Sequence, residues 1–214
     1  MSTTSDKIHE YFSTFPKRTY PKGQIIIFAN ENPDAVYYLV EGRVRSYDHS
    51  YRGDEVTVNI FKPAAFFPMS WAINHTPNQY FYRTEEPTIL HVVPADKALE
   101  FVKANPDVML DLLSRLYHGI DGLLGRMVHL MSGTARSRVM YELIIECRRF
   151  GINEKANAYE LKVSEVDLAA RSGLSRETVS REISKLKEQK IIATGSKLIV
   201  EDLAELEKML GMEL

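Results

Sequence analysis

The stretch Ser164–Ile192, SEVDLAARSGLSRETVSREISKLKEQKII, decides how the rest of the chain is read. Ser164 is a favourable N-cap, Asp167 stands at the third helical position, and a short helix runs from there to Ser172. Gly173 permits the left-handed backbone that a tight helix–helix corner needs. Ser175 then caps a second helix. Val179, Ile183 and Leu186, spaced four and three, make its buried stripe. Arg176, Glu177, Ser180, Arg181 and Ser184 fall on the opposite face, crowded toward the N-terminal end. Two capped helices about a glycine corner, the second apolar behind and polar in front, describe a helix-turn-helix. The polar end of its second helix is the part that enters the major groove. Arginine pairs bidentately with guanine and glutamate accepts from cytosine, so Arg176, Glu177 and Arg181 are the candidates for base contacts. An ordinary helical hairpin with a solvated charged face is the alternative, and the agreement of cap, corner, stripe and polar face speaks against it.

Immediately beyond, Ile191–Ala193, the turn Thr194-Gly195-Ser196-Lys197 and Leu198–Val200 read as a short hairpin, a wing with Lys197 placed for phosphate. Charge follows the same outline. Residues 135–197 carry 13 Lys/Arg against 9 Asp/Glu, whereas residues 198–214 carry one Lys against five acids, within a chain of net charge −2. A basic segment before an acidic tail is compatible with DNA, although a mixed solvated surface has the same balance.

Upstream of that segment, Met109, Leu113, Leu116, Ile120, Leu123, Met127 and Leu130 recur at spacings 4, 3, 4, 3, 4, 3. This is the seam of a coiled coil and predicts pairing with a second copy, against the alternative of one long helix packed on its own chain. Gly119, Gly122 and Gly125 interrupt the helix at about 1 kcal/mol each, so it needs tertiary support. Ser132-Gly133-Thr134 reads as a hinge. Before residue 94 the pattern is strand-like: Gln24–Phe28, Val36–Val40, Arg43–Tyr47, Glu55–Phe61, Gln79–Thr84 and Thr88–Val93 are separated by Gly, Pro and Asn turns. Such spacing fits a sandwich, jelly roll or barrel. Asp96–Ala104 is a short helix stopped at Asn105-Pro106.

The 214 residues suffice for one large or two modest domains, and 44% hydrophobic with 26% charged residues is a globular composition. The single cysteine, Cys147, excludes an internal disulfide, a four-cysteine zinc site and a cysteine-ligated iron–sulfur cluster. Cys147 lies in the apolar run Leu143–Cys147 and reads as packed rather than reactive. No apolar run approaches the ~20 residues of a membrane helix. The opening MSTTSDKIHE lacks a basic-then-apolar leader pattern, and the expectation is a cytoplasmic protein with no membrane partner.

Gly173–Arg181, GLSRETVSR, with the following Leu186…Ile191-Ile192, resembles the DNA-binding domain of the CRP/FNR family of bacterial transcription regulators. The resemblance extends over nearly the whole chain. Tyr20-x-Lys22-Gly23-Gln24-x-Ile26 and Val36–Val44 are similar to the start of that family's cyclic-nucleotide-binding-like β-roll, and Ala135-Arg136-x-Arg138-Val139 to the helix after its dimer helix. The fold it implies is α+β: an N-terminal double-stranded β-roll sensor over residues 1–106, a dimerisation helix and hinge over 107–133, and a C-terminal winged helix-turn-helix over 134–214. It implies base contacts by Arg176, Glu177 and Arg181 in palindromic sites. Ser175, Thr178 and Ser180 would position the helix on phosphates. The partners implied are double-stranded DNA, a second copy of the chain and, for an activator, RNA polymerase.

The effector region departs from the family pattern. Pro68-Met69 stands where cyclic-AMP-binding members have a Gly-Glu pair, and Asn78-Gln79-Tyr80 where they have an Arg-Ser/Thr-Ala triplet. A buried phosphate without its arginine is disfavoured by several kcal/mol, which argues against cyclic AMP. Arg83 lies nearby, and a shift of register would bring it into play. Haem is a weaker candidate, through His75, His91, His118 or His129. A metal enzyme on a cupin-type roll would want a His-x-His pair, and none occurs. No resident cofactor is expected. Phe61, Phe66, Phe67, Trp71, Tyr80, Phe81 and Tyr82 are seven of 21 aromatic residues within 22 positions. Two readings stay open. Phe66, Phe67, Trp71, Tyr80, Tyr82, Arg83 and His118 line an effector pocket between roll and dimer helix, or bulky side chains fill the old nucleotide cavity and leave an effector-independent regulator. The dimer seam is assigned to Leu113, Leu116, Ile120, Leu123, Met127 and Leu130.

Overall fold

A computed structural model of the chain describes residues 3–155, 157–194 and 197–211. It divides into two units, residues 1–117 and 118–214. In order along the first unit come α1 (Thr4–Phe12), β1 (Lys17–Tyr20), β2 (Ile25–Ile27), β3 (Ala35–Glu41), β4 (Val44–His49), β5 (Glu55–Phe61) and β6 (Phe66–Phe67). After them come α2 (Met69–Asn74), β7 (Phe81–Thr84), β8 (Thr88–Pro94), α3 (Ala95–Ala104) and the start of α4 (Pro106–Ser132). The strands form two four-stranded antiparallel sheets, ordered β1-β8-β3-β6 and β2-β7-β4-β5. All six expected strand regions are present.

Alternation along β3 builds both sides of the first sheet. Leu39 opposes Leu90 and Tyr37 opposes Phe67, facing the roll interior with Ile27, Val44 and Tyr82. Val36 opposes Val93 and Tyr38 opposes Phe66, facing the other way onto α1 and α3. In helix α1, Ile8 and Phe12, one turn apart, are fully buried. Each is worth roughly 1.5–3 kcal/mol of apolar burial. A capping box fixes its start, Thr3 accepting from the Asp6 N–H while the Asp6 carboxylate accepts from the Thr3 N–H. In the β3–β4 turn Gly42 has φ 93°, and a Cβ there would collide with Thr88 and the Pro87 carbonyl, so only glycine fits.

The second unit begins within α4 and continues through α5 (Ala135–Phe150), β9 (Ile152–Lys155), β10 (Ala158–Leu161), α6 (Glu165–Ser172), α7 (Arg176–Glu188), β11 (Ile192–Thr194), β12 (Leu198–Val200) and α8 (Leu203–Leu210). Its strands join as one antiparallel sheet, β11-β12-β10-β9. The expected wing hairpin is therefore half of a larger sheet; the Gly195 and Ser196 of its turn lie outside the described residues. Val139, Leu143, Ile144 and Cys147 from α5 pack on Leu168, Val179, Ile183, Leu186 and Leu206. Burial pushes the Cys147 thiol up to about 12, so it stays protonated and unreactive at neutral pH.

Two carboxylates of α5 are buried with arginine partners. Glu146 accepts from Arg171 of α6 at 2.6 Å, their side chains 0% and 4% exposed. Glu142 takes a two-point contact from Arg126 of α4, at 2.5 and 3.1 Å. Beside that pair the Tyr141 hydroxyl donates to the Gly122 carbonyl at 2.9 Å, and a Cβ on Gly125 would collide with that hydroxyl. Tertiary contact thus explains Gly125, whereas Gly119 and Gly122 face open space. At the expected hinge the backbone is closely packed. Helix α4 ends at Ser132, Thr134 caps α5 by accepting from the Ser137 N–H, and a Cβ on Gly133 would overlap the His129 carbonyl and Ser137.

Candidate nucleic-acid interface

Local chemistry places α6 and α7. Ser164 accepts from the Asp167 N–H at 3.1 Å and the Asp167 carboxylate accepts from the Ser164 N–H, a complete capping box. Gly173 closes α6 with φ 64°, donating its N–H to the Ala169 carbonyl. Ser175 caps α7 by accepting from the Thr178 N–H at 3.2 Å. Val179, Ile183 and Leu186 are buried as the stripe requires. Arg176, Glu177, Arg181 and Ser184 are exposed together on the other side, with Thr178 and Ser180 half-buried between.

The side chains on this face are held in position. Arg181 donates to the Thr178 hydroxyl at 3.1 Å. Thr178 is therefore a support for Arg181 besides being a phosphate candidate. Arg176 lies 4.0 Å from the Glu165 carboxylate on α6. Hydrogen bonds from its own backbone N–H and from Ser175 hold the Glu177 carboxyl below the usual carboxylate range. Glu177 is then an anion at neutral pH, an acceptor suited to the cytosine amino group. The Ser175 hydroxyl is engaged as the cap, and the Ser180 carbonyl accepts from Ser184. On the wing, Lys197 is ion-paired with Glu160 of β10, a partner that lies 37 residues away and that sequence reading missed.

The proposed dimer seam is apolar and uncovered within the chain. Leu113, Leu116, Ile120, Leu123 and Met127 are 39–57% exposed, and Leu130 is half-buried. Leu110, Tyr117, Leu124 and Met131 repeat every seven residues along its flank and are exposed as well.

Within the first unit the pocket candidates are not gathered around one cavity. Phe66 belongs to the cluster under α1, where its ring centroid is 4.7 Å from that of Phe12. Phe67 faces the roll interior, stacked on Tyr82 at 5.3 Å and 9°, with Phe61 against both; Tyr80 packs at the edge of that cluster. Adjacent residues of one strand point to opposite faces, so Phe66 and Phe67 cannot line the same space. Arg83 forks onto Glu55 at 2.7 and 2.5 Å, over the Tyr47 ring. Asn78 is buried and spends its amide on the Phe28 and Tyr80 carbonyls. Trp71 lines a separate cleft of about 380 Å³ between α2 and α3, with His75, Leu99 and Lys103. His118 is an exposed residue of α4 in the second unit. Of the other histidines, His91 is buried against the Phe15 carbonyl, and His129 packs on Tyr141. Among the described residues no three His, Cys, Asp or Glu side chains come together as metal ligands.

A helix-turn-helix with an attached wing, carried behind a double-stranded β-roll, defines a DNA-binding transcription regulator. Residues 17–105 match the cyclic nucleotide-binding domain and residues 137–209 the Crp-like helix-turn-helix domain. With these two in tandem, the chain belongs to the CRP/FNR family. It is 26% identical over 187 residues to a global nitrogen regulator of Nostoc sp., covering 85% of this chain and 82% of that protein. Among solved structures, a CRP/FNR-family transcriptional regulator from Thermus thermophilus superposes with a TM-score of 0.74 at 23% identity, covering 92% of this chain and 98% of the other. A CooA mutant from Carboxydothermus hydrogenoformans gives 0.78 at 21% identity, covering 94% and 90%. No helix among the described residues is long and apolar enough to cross a membrane.

Proposed function

We propose that the protein is a homodimeric regulator that binds an inverted-repeat operator. The observation that carries this reading is the exposed N-terminal face of α7, where Arg176, Glu177 and Arg181 stand together above a fully buried stripe. Arg181 and Arg176 read guanines, Glu177 reads cytosine, and Lys197 holds phosphate. The apolar seam of α4 pairs with the same seam of a second copy, and two-fold symmetry sets the two α7 helices on half-sites one helical turn apart.

The first unit regulates without a cyclic nucleotide. Supporting this are the stacked Phe61, Phe67 and Tyr82 in the roll interior, and the commitment of Arg83 and Asn78 to protein partners. A phosphate there would have to take Arg83 from Glu55 and would displace packed rings. The filled-roll reading, in which DNA binding needs no added effector, is therefore favoured over the aromatic pocket.

Arg181→Ala and Lys197→Ala separate the two kinds of DNA contact. Arg181→Ala is expected to cost about 1–3 kcal/mol on the cognate site and to relax preference at one base pair of each half-site. Lys197→Ala is expected to weaken cognate and random duplexes alike. Binding isotherms on single-base operator variants make the distinction. A parallel loss of affinity for both substitutions, with preference unchanged, would remove Arg181 from base readout.

A further inference from the structure

We propose that Glu160 is a built-in competitor for phosphate at Lys197, setting the absolute affinity for DNA without touching sequence preference. This rests on the DNA-binding reading above. Strand β10 runs beside wing strand β12, with Glu160 opposite Ile199. Tyr159 and Leu161 turn toward the helical core, so Glu160 lies on the sheet's other face, where Lys197 closes over it. The pair is lopsided: the Glu160 side chain is 14% exposed and that of Lys197 48%. The carboxylate is the less hydrated partner, and the ammonium is the counter-charge the structure sets against it. Lys197 reaches a phosphate only by leaving that partner or by sharing itself between two anions.

Phosphate contacts supply the sequence-independent part of DNA affinity through release of condensed counterions, about 0.9 of an ion per phosphate neutralised. A lysine already neutralised by its own protein contributes less to that release. Arg181 is differently placed, since the partner it donates to is the neutral Thr178 hydroxyl. Glu160 thus lowers what the wing gains on any duplex, while Arg181, whose hydrogen bond goes to a hydroxyl, serves the reading of guanine. The consequence is weaker retention on bulk DNA, with discrimination left to α7.

The test uses the full-length protein, titrated by fluorescence anisotropy against a random-sequence duplex and a duplex carrying the selected operator, from ~50 to ~300 mM KCl. Glu160→Gln keeps the shape and removes the charge. It is expected to tighten both duplexes by the same factor, about fivefold at ~150 mM salt, the scale of one partly exposed ion pair. The plot of log affinity against log salt is expected to steepen by up to about 0.9. Adding Lys197→Ala to that variant is expected to abolish the gain, and Lys197→Ala alone to weaken the native protein less than it weakens the Glu160→Gln variant. Unchanged or weaker binding by Glu160→Gln overturns the proposal, as does tightening confined to the operator. A gain that survives in the double variant also overturns it, since Glu160 would then repel DNA by itself. If the native protein bound neither duplex, the DNA-binding reading would fail first and take the proposal with it.

Discussion

Glu146→Ala is expected to destabilise residues 118–214 by about 3–5 kcal/mol, the range for removing one partner of a buried ion pair. The carboxylate is fully buried and holds Arg171 at 2.6 Å. Truncating it takes that counter-ion from a guanidinium inside the domain, whose Nε already lacks a hydrogen-bond partner among the described residues. Helix α6, the first helix of the helix-turn-helix, is what that pair ties to α5. The loss should therefore be seen as faster amide exchange across α5 and α6, together with a lower urea midpoint. The double replacement Glu146→Leu with Arg171→Met is expected to recover most of the stability, because apolar isosteres carry no desolvation cost. A change below about 1 kcal/mol for Glu146→Ala would mean that water reaches the pair.

Leu116→Lys combined with Leu123→Lys is expected to split the dimer and reduce operator affinity by a factor of roughly 100 or more. Two charges per helix at core positions of a coiled coil face the same charges on the partner. Once apart, each monomer holds one half-site and loses the effective concentration that linkage supplies, a factor on the order of 10²–10⁴. Sedimentation velocity reads the first effect and anisotropy the second. Since both leucines are exposed within the chain, one in each unit, thermal unfolding of either unit should scarcely change. A variant that stayed dimeric would show that another surface joins the two copies.

Legibility in the sequence tracked how local each interaction is. The Ser164 and Ser175 caps, the left-handed Gly173 and the 4-3 stripe of α7 act within a turn or two of their own residues, and the structure has them where spacing puts them. Helix α1 went unread although its signals are local: the Thr3–Asp6 capping box and the one-turn spacing of Ile8 and Phe12. Only what the pair packs on, α3 and the first sheet, is distant. Glu142 and Glu146 carry no local signal of burial, because it depends on Arg126 and Arg171, 16 and 25 residues away. Aromatic crowding between residues 61 and 82 was plain in the sequence, but not which face each ring takes. Strand period sends Phe66 outward to α1 and Phe67 inward to Tyr82, turning an apparent pocket into two packed cores. Arg83 was likewise a candidate for the effector pocket, because Glu55 of β5 reaches it only across strand β4.

Selection from a random duplex library, with the full-length protein freed of small molecules and held at ~150 mM salt, tests the central claim most directly. The account predicts enrichment of an inverted repeat containing G·C pairs, its half-sites about 10–11 base pairs apart. It also predicts loss of preference at one base pair per half-site when Arg181→Ala is selected in parallel. Enrichment of a single unrepeated site, or no enrichment beyond salt-sensitive binding to every duplex, would contradict it.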